Sequence, residues 1–261
     1  MLVDGHVHLT EPVDLILRRL EQAGIDKAVV CSSGLAKGEE ILSLQDAKQT
    51  MDRIARAQHT PDPGLSIQNI NVQMVDIVTE HKEELYGFGK ADIFSPELLN
   101  EAQEIFKAGL QGIGEIIGIH GNAKLVEPLL QFSHEQGGFP LFIHCDYPVD
   151  ANDLHILFDL AKKFKKARMV IGHLGGDFWI EAIEKAFACS NVYLDTSEVV
   201  NGTALQVAVR ELPERVIFGS DFPWDSPEAM LRRFDFLDMD SGVKKRILGL
   251  NILEVLGVRT F

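Results

Sequence analysis

The stretch Val3-Asp4-Gly5-His6-Val7-His8 ends an apolar run on two imidazoles, and the same construction returns three times further along the chain. Leu141-Phe142-Ile143 ends on His144, Met169-Val170-Ile171-Gly172 on His173, and Val216-Ile217-Phe218-Gly219-Ser220 on Asp221. Each run reads as a strand that delivers a metal-type ligand at its C-terminal end. In a closed parallel barrel those ends meet at one mouth, so residues far apart in sequence become neighbours. The pattern predicts a bound divalent metal used for catalysis.

Working outward, strand-like runs alternate with helical patterns along the whole chain, which signals repeated βα units and a parallel sheet. Candidate strands fall at residues 1–8, 27–31, 85–89, 112–117, 140–145, 168–173, 191–196 and 215–221. They are continuous apolar runs rather than alternating ones, as expected of strands covered on both faces. Eight such strands in 261 residues predict an α/β fold of the (β/α)8 TIM-barrel type, a single domain over residues 1–261. Helix starts are expected at Thr10-Glu11-Pro12 and Ser95-Pro96-Glu97, each a capping residue with a proline and an acid in the next two positions. Only residues 32–84 exceed what a βα unit needs. They read as a helical insertion between strands 2 and 3, interrupted at Thr60-Pro61-Asp62-Pro63-Gly64, with Gly34 and Gly38 permitting a mobile loop over the mouth.

Composition narrows the function classes. Hydrophobic residues at 46% and charged residues at 25% suit a globular protein. No apolar run is long enough to span a bilayer, and no signal-peptide pattern opens the chain, so a cytoplasmic protein with no membrane partner is expected. Three cysteines, an odd count without C-x-x-C spacing, point to a reducing compartment. A net charge of −14 disfavours nucleic acid as a partner. The one basic run, residues 162–168, reads as a helix end favoured by the helix dipole, on the side opposite the mouth. A small-molecule substrate is expected, and a homo-oligomer is compatible with the chain.

His6 and His8, two residues apart, point to one face of their strand. With nine histidines chance alone supplies about 0.3 such pairs, so the spacing by itself is weak. Its weight comes from coincidence with His144, His173 and Asp221, each at the end of another strand. Imidazole nitrogen and carboxylate oxygen suit zinc, manganese, iron or nickel. Zinc, as one or two ions, is the expected metal because it polarises substrate and yields hydroxide near neutral pH. A carboxylate beside the metal-bound water is a natural general base, which gives Asp221 and His173 catalytic roles as well as ligand roles.

These motifs resemble the amidohydrolase superfamily over essentially the whole chain. Asp4-x-His6-x-His8, Ile143-His144, Gly172-His173-Leu174-Gly175-Gly176 and Gly219-Ser220-Asp221-Phe222-Pro223 carry the resemblance. The last two, with Asn191-Val192-Tyr193-Leu194-Asp195-Thr196-Ser197 between them, are similar to the amidohydrolase-2 branch, which holds metal-dependent hydrolases, lactonases and non-oxidative decarboxylases. Gly112-Ile113-Gly114-Glu115-Ile116 looks like the glutamate run of TatD-type hydrolases. It places Glu115 where binuclear members carry a bridging ligand, so the resemblance implies a second ion and favours hydrolysis.

The expectation is a metal-dependent hydrolase of an amide, lactone or ester. The alternative is a metal-dependent decarboxylase of an aromatic or unsaturated acid, with a TatD-like nuclease behind it. A metal-holding scaffold without activity is disfavoured by the complete ligand set. Lys90, His120, Tyr147 and Trp224, in the loops after the third, fourth, fifth and eighth strands, are the candidate substrate-binding residues. Asp146 shares their position. Asp4 reads as a buried orienting acid. Cys31 and Cys145 lack an activating base, and His59, His81, His134 and His155 read as outer, non-functional histidines.

Overall fold

The structure is a computed structural model that describes residues 1–10, 12–32, 43–57 and 66–258. Its strands are β1 (Val3–His8), β2 (Lys27–Cys31), β3 (Leu85–Gly89), β4 (Gly112–Ile116), β5 (Pro140–Ile143), β6 (Arg168–Ile171), β7 (Val192–Asp195) and β8 (Val216–Ile217). They pair in parallel in that order. Between them run α1 (Asp14–Ala23), α2 (Leu44–Ala57), α3 (Ile67–Glu80), α4 (Leu98–Lys107), α5 (Glu127–Glu135), α6 (Ala151–Lys163), α7 (Trp179–Phe187) and α8 (Gly202–Glu211). After β8 come α9 (Pro227–Phe234), α10 (Ser241–Lys245) and α11 (Asn251–Leu256). This is the (β/α)8 barrel expected.

Closure falls to the segment after β8, whose regular part is only two residues long. Gly5 N–H donates to Phe218 O at 2.8 Å, Asp221 N–H to His6 O at 2.7 Å and His8 N–H to Phe222 O at 2.7 Å. Asn251 latches the base of this segment, giving its side-chain amide to Pro213 O and Val216 O at 2.9 and 2.7 Å.

The interior is filled by Val29, Cys31, Phe88, Phe142, Val170, Tyr193 and Ile217, and α11 plugs the N-terminal end with Ile252, Leu253 and Val255. Phe88 and Phe142 decide what faces them. A Cβ on Gly112 would stand 2.6 Å from the Phe88 ring, and one on Gly114 would stand 2.7 Å from Phe142 Cβ. Strand β4 therefore carries glycine at both inward positions below Glu115.

Strict alternation from those glycines would turn Glu115 outward, and alternation from the inward-facing Val3 would do the same to His6 and His8. Both strands avoid this with one extra residue. The register of β1 against β2 slips between Asp4 and Val7, and that of β4 against β5 slips between Ile113 and Ile116. Such bulges re-aim side chains. Here they swing His6, His8 and Glu115 over the aromatic layer, with the His6 ring 4.3 Å from that of Phe142.

Two helices, α2 and α3, separate β2 from β3, so the helical insertion is present. Met74 and Val78 of α3 pack against Gly87 of β3, which makes α3 the regular barrel helix and α2 the addition. Gly34, Gly38 and Thr60-Pro61-Asp62-Pro63-Gly64 lie outside the described residues. The expected cap at Thr10 is corrected, and the helix after Ser95 begins later than expected. Helices α1 and α4 start at Asp14 and Leu98, with Val13 and Glu97 preceding them and no side-chain cap. Thr10 Oγ1 instead bonds Pro12 O, whereas Ser95 Oγ donates to Glu101 and accepts the Glu97 N–H at 3.1 Å, which caps the turn leading into α4. Lys162 and Lys163 close α6 as expected. Among the described residues no helix is long and apolar enough to cross a membrane.

Candidate metal centre

All six predicted ligands converge at the C-terminal end of the barrel. His8 Nε2 and His6 Nε2 lie 2.7 and 3.3 Å from Asp221 Oδ1, and His8 Nε2 lies 3.6 Å from Glu115 Oε2. The other oxygen of Glu115 faces a second pair, 2.8 Å from His144 Nδ1 and 3.1 Å from His173 Nε2. Those two nitrogens are 3.1 Å apart. Three overlapping sets, His6/His173/Asp221, His6/His8/Glu115 and Glu115/His144/His173, each offer ligand atoms within 4.8 Å of one another. Five of the six side chains are buried, and His144, 16% exposed, opens towards the mouth.

Two of these ligands sit in backbone conformations that L-residues seldom adopt. His173 has φ +54° and Asp221 φ +61°, each costing about 1–3 kcal/mol. Neighbouring groups hold them there. The His173 N–H donates to Asp195 Oδ2 at 3.2 Å, and Asp221 is fixed through His6 O and the Trp224 N–H.

Hydrogen accounting shows that these residues fit a cation. His144 Nε2 faces Tyr147 O at 3.4 Å and His173 Nδ1 faces Ser197 O at 3.4 Å. A carbonyl only accepts, so each ring carries its hydrogen on that outer nitrogen. The inner nitrogens, His144 Nδ1 and His173 Nε2, then present lone pairs to each other and to Glu115 Oε1. Three acceptors about 3 Å apart repel unless a cation or added protons lie among them. His6 Nε2, buried in the same place, has no hydrogen-bond partner. A divalent ion with N and O ligands at about 2.0–2.2 Å meets these requirements.

Without an ion, protons take that role. Burial alone would lower His6, but Asp221, Asp195 and Glu115 raise it from 6.5 to about 9. Burial likewise opposes the charged form of His173, and Glu115 and Asp221 overcome it to hold the ring well above the usual range. In return, and against burial, the imidazoles keep Glu115 well below the ordinary carboxylate range and Asp221 below it. An ion entering at pH 7 must therefore displace at least one proton from these rings, and its affinity should fall as the pH drops. Titration calorimetry in two buffers of different ionisation enthalpy should give different apparent heats; equal heats would show that no proton leaves.

Asp4 lies beneath the centre as an orienting acid. Its Oδ1 accepts from the N–H groups of His6 and Ser220 at 3.1 and 2.9 Å, and burial raises it to about 7. Lys90, directly after β3, is held through its backbone by Asn71 on α3. Burial lowers its ammonium, and the nearby charge of Glu115 pulls it back up. His120 follows β4 with its side chain 47% exposed and Nδ1 3.4 Å from Asp153 Oδ2. Tyr147 follows β5 and is 85% exposed, so its backbone carbonyl rather than its ring reaches His144. Trp224 is half-buried after Asp221. Asp146 presses against Gly176, where a Cβ would come within 2.5 Å of its Oδ1. Cys31, Cys145 and Cys189 are free and buried. His81, His134 and His155 lie on or beside the outer helices, and His59 is outside the described residues.

Asp195 and Ser197 were overlooked as site residues. Both are fully buried beside His6 and His173. Their signal was present, since Asp195-Thr196-Ser197 ends an apolar strand just as the ligand runs do.

The profile of the amidohydrolase-2 family, described as Amidohydrolase, matches residues 3–258. The chain belongs to the amidohydrolase family. A search of curated proteins finds no match. Among solved structures, a TIM-barrel protein from Bordetella bronchiseptica superposes with a TM-score of 0.71 at 16% identity, over 94% of this chain and 83% of its own. 5-Carboxyvanillate decarboxylase from Sphingomonas paucimobilis gives 0.69 at 15% identity, over 99% of each chain. A dihydroxybenzoic acid decarboxylase from Polaromonas sp. JS666, solved with bound manganese and 2-nitroresorcinol, gives 0.69 at 14% identity, over 99% and 98%. At such identities the likeness to this amidohydrolase is one of fold.

Proposed function

We propose that this amidohydrolase is a metal-dependent hydrolase of a small molecule with an amide, lactone or ester bond. The observation that carries the reading is Glu115. One oxygen faces His8, beside His6 and Asp221, while the other faces His144 and His173. A carboxylate placed this way can serve two ions, as in the TatD-type hydrolases its sequence resembles. Zinc is the proposed metal, and the oxygen and imidazole donors also accept manganese.

When bound, the metal polarises the substrate and lowers the pKa of a water from 15.7 to about 7. His6, His8, Glu115, His144, His173 and Asp221 would hold it. Asp221 accepts the proton of the attacking water and returns it to the leaving group. His173 steadies the charge that develops. Phe88 and Phe142 exclude water from below. Lys90, His120, Tyr147 and Trp224, at the mouth, read the substrate. Burial and the charges of Asp221, Asp146 and Glu115 raise the carboxyl of Glu198 beside this mouth. The buried free cysteines agree with a cytoplasmic location.

A second reading, non-oxidative decarboxylation of an aromatic acid, has its own support. The decarboxylases named above share the fold, and Lys90 supplies a cation near Glu115 for a substrate carboxylate. Metal content and product chemistry separate the two. Protein loaded with zinc or manganese should hold two ions per chain and hydrolyse members of a lactone, ester and amide panel. One ion per chain, with CO2 released from hydroxybenzoates and no hydrolysis, would replace the first reading by the second.

A further inference from the structure

Ser197, just beyond β7, touches both halves of the centre. Its Oγ lies 3.1 Å from His6 Nδ1 and 3.0 Å from His173 Nδ1, and it donates to Asp195 Oδ2. A serine hydroxyl owns one hydrogen and two lone pairs. The Asp195 carboxylate only accepts, so the single hydrogen goes there. Both lone pairs then face ring nitrogens, and each ring must supply its own hydrogen. The Ser197 carbonyl, already shown to face His173 Nδ1, requires the same of that ring independently. With Nδ1 protonated, the lone pair of each neutral ring is on Nε2. For His6 that atom is buried without a partner, 3.3 Å from Asp221 Oδ1. For His173 it is 3.1 Å from Glu115 Oε1.

We infer that Ser197 is a positioning residue whose one hydroxyl fixes His6 and His173 in the same tautomer, turning a lone pair from each half of the centre inward. The inference rests on the metal-centre reading proposed above. Asp195 aims the hydroxyl, because its Oδ2 also accepts the backbone N–H groups of Ser197 and His173 at 3.2 Å each. Gly219 makes room for the acid, since a Cβ there would stand 2.1 Å from Asp195 Oδ1 and 2.9 Å from His6 Cβ. Losing one ligand should weaken mainly the ion it touches. Losing this hydroxyl should weaken both together, since the two rings share it.

The test reads the ring nitrogens directly, by long-range hydrogen–nitrogen correlation spectra of zinc-loaded protein labelled with 15N-histidine. Wild type should show hydrogen on Nδ1 of both His6 and His173. Ser197→Ala should disturb both rings and lower zinc affinity by about 10–100-fold, and Ser197→Thr, which keeps the hydroxyl, should restore both readings. Hydrogen on Nε2 of either wild-type ring overturns the inference. So do unchanged rings and affinity in Ser197→Ala, or equal impairment in the alanine and threonine variants, which would reduce Ser197 to packing. If Ser197→Ala does not fold, the wild-type spectrum decides alone. If wild type takes up no zinc, the metal reading fails separately, and metal-free protein at alkaline pH, with neutral rings, reports the same nitrogens.

Discussion

Asp221→Asn should lose about 10²–10⁴-fold in turnover, the usual worth of a positioned general base, while keeping most of its metal. The substitution is nearly isosteric. Asparagine tolerates the left-handed backbone at this position, φ +61°, about as well as aspartate does. The hydrogen bonds from Asp221 N–H to His6 O and from Trp224 N–H to Asp221 O involve only the main chain and survive. An amide oxygen can still face the Nε2 atoms of His6 and His8, now 3.3 and 2.7 Å away. What it cannot do is take a proton near neutral pH. Metal content by elemental analysis alongside kcat checks the split. Metal kept and turnover kept would remove Asp221 from the role of base; metal lost in parallel with turnover would make it a ligand first.

Glu115→Ala should reduce the metal content from two ions per chain to one or none. The carboxylate belongs to two of the three ligand sets, and its removal takes from His144 and His173 the acid that faces both. The same change removes the main partner that raises His173, so the ring should lose its proton at lower pH in the metal-free variant. Thermal unfolding recorded beside the metal count separates loss of the site from loss of the fold. A single ion unaffected by the substitution would mean a mononuclear centre and would move the assignment to the decarboxylase.

Much of this was legible before any coordinates. Continuous apolar runs with a ligand at the end are a strong signal because a barrel strand must satisfy two apolar faces and a polar mouth at once. Seven of the eight strand positions matched closely. The eighth, read as residues 215–221, keeps regular ladder geometry only at Val216–Ile217, because the chain bends there to close on β1. Counting by twos also put Asp4, His6 and His8 on one face, and it was blind to the added residues in β1 and β4. A bulge changes which face a side chain takes without changing composition or periodicity much. The roles of Asp195 and Ser197 were missed for a different reason. Neither points a lone pair at the centre, and a serine that works through two histidines has no spacing rule of its own. Thr10 looked like a helix cap yet bonds Pro12 O in its own turn, while Ser95 caps a turn that precedes the regular helix.

Those two added residues make the chain's length at those points as consequential as its chemistry. A regular strand at unchanged length would leave every donor atom in the protein and still turn the first pair of imidazoles, or the shared acid, into the surrounding helices, whereas deleting Gly5 or Gly114 would straighten the ladder with those side chains still facing inward. Point substitution is limited there too, since a Cβ at Gly5 or Gly114 would stand 2.5 Å from Ile217 Cγ2 or 2.7 Å from Phe142 Cβ. Natural variation and engineering in this molecule should therefore keep each bulge or remove its one extra residue, and gather other changes of length on the loops beyond the strand ends.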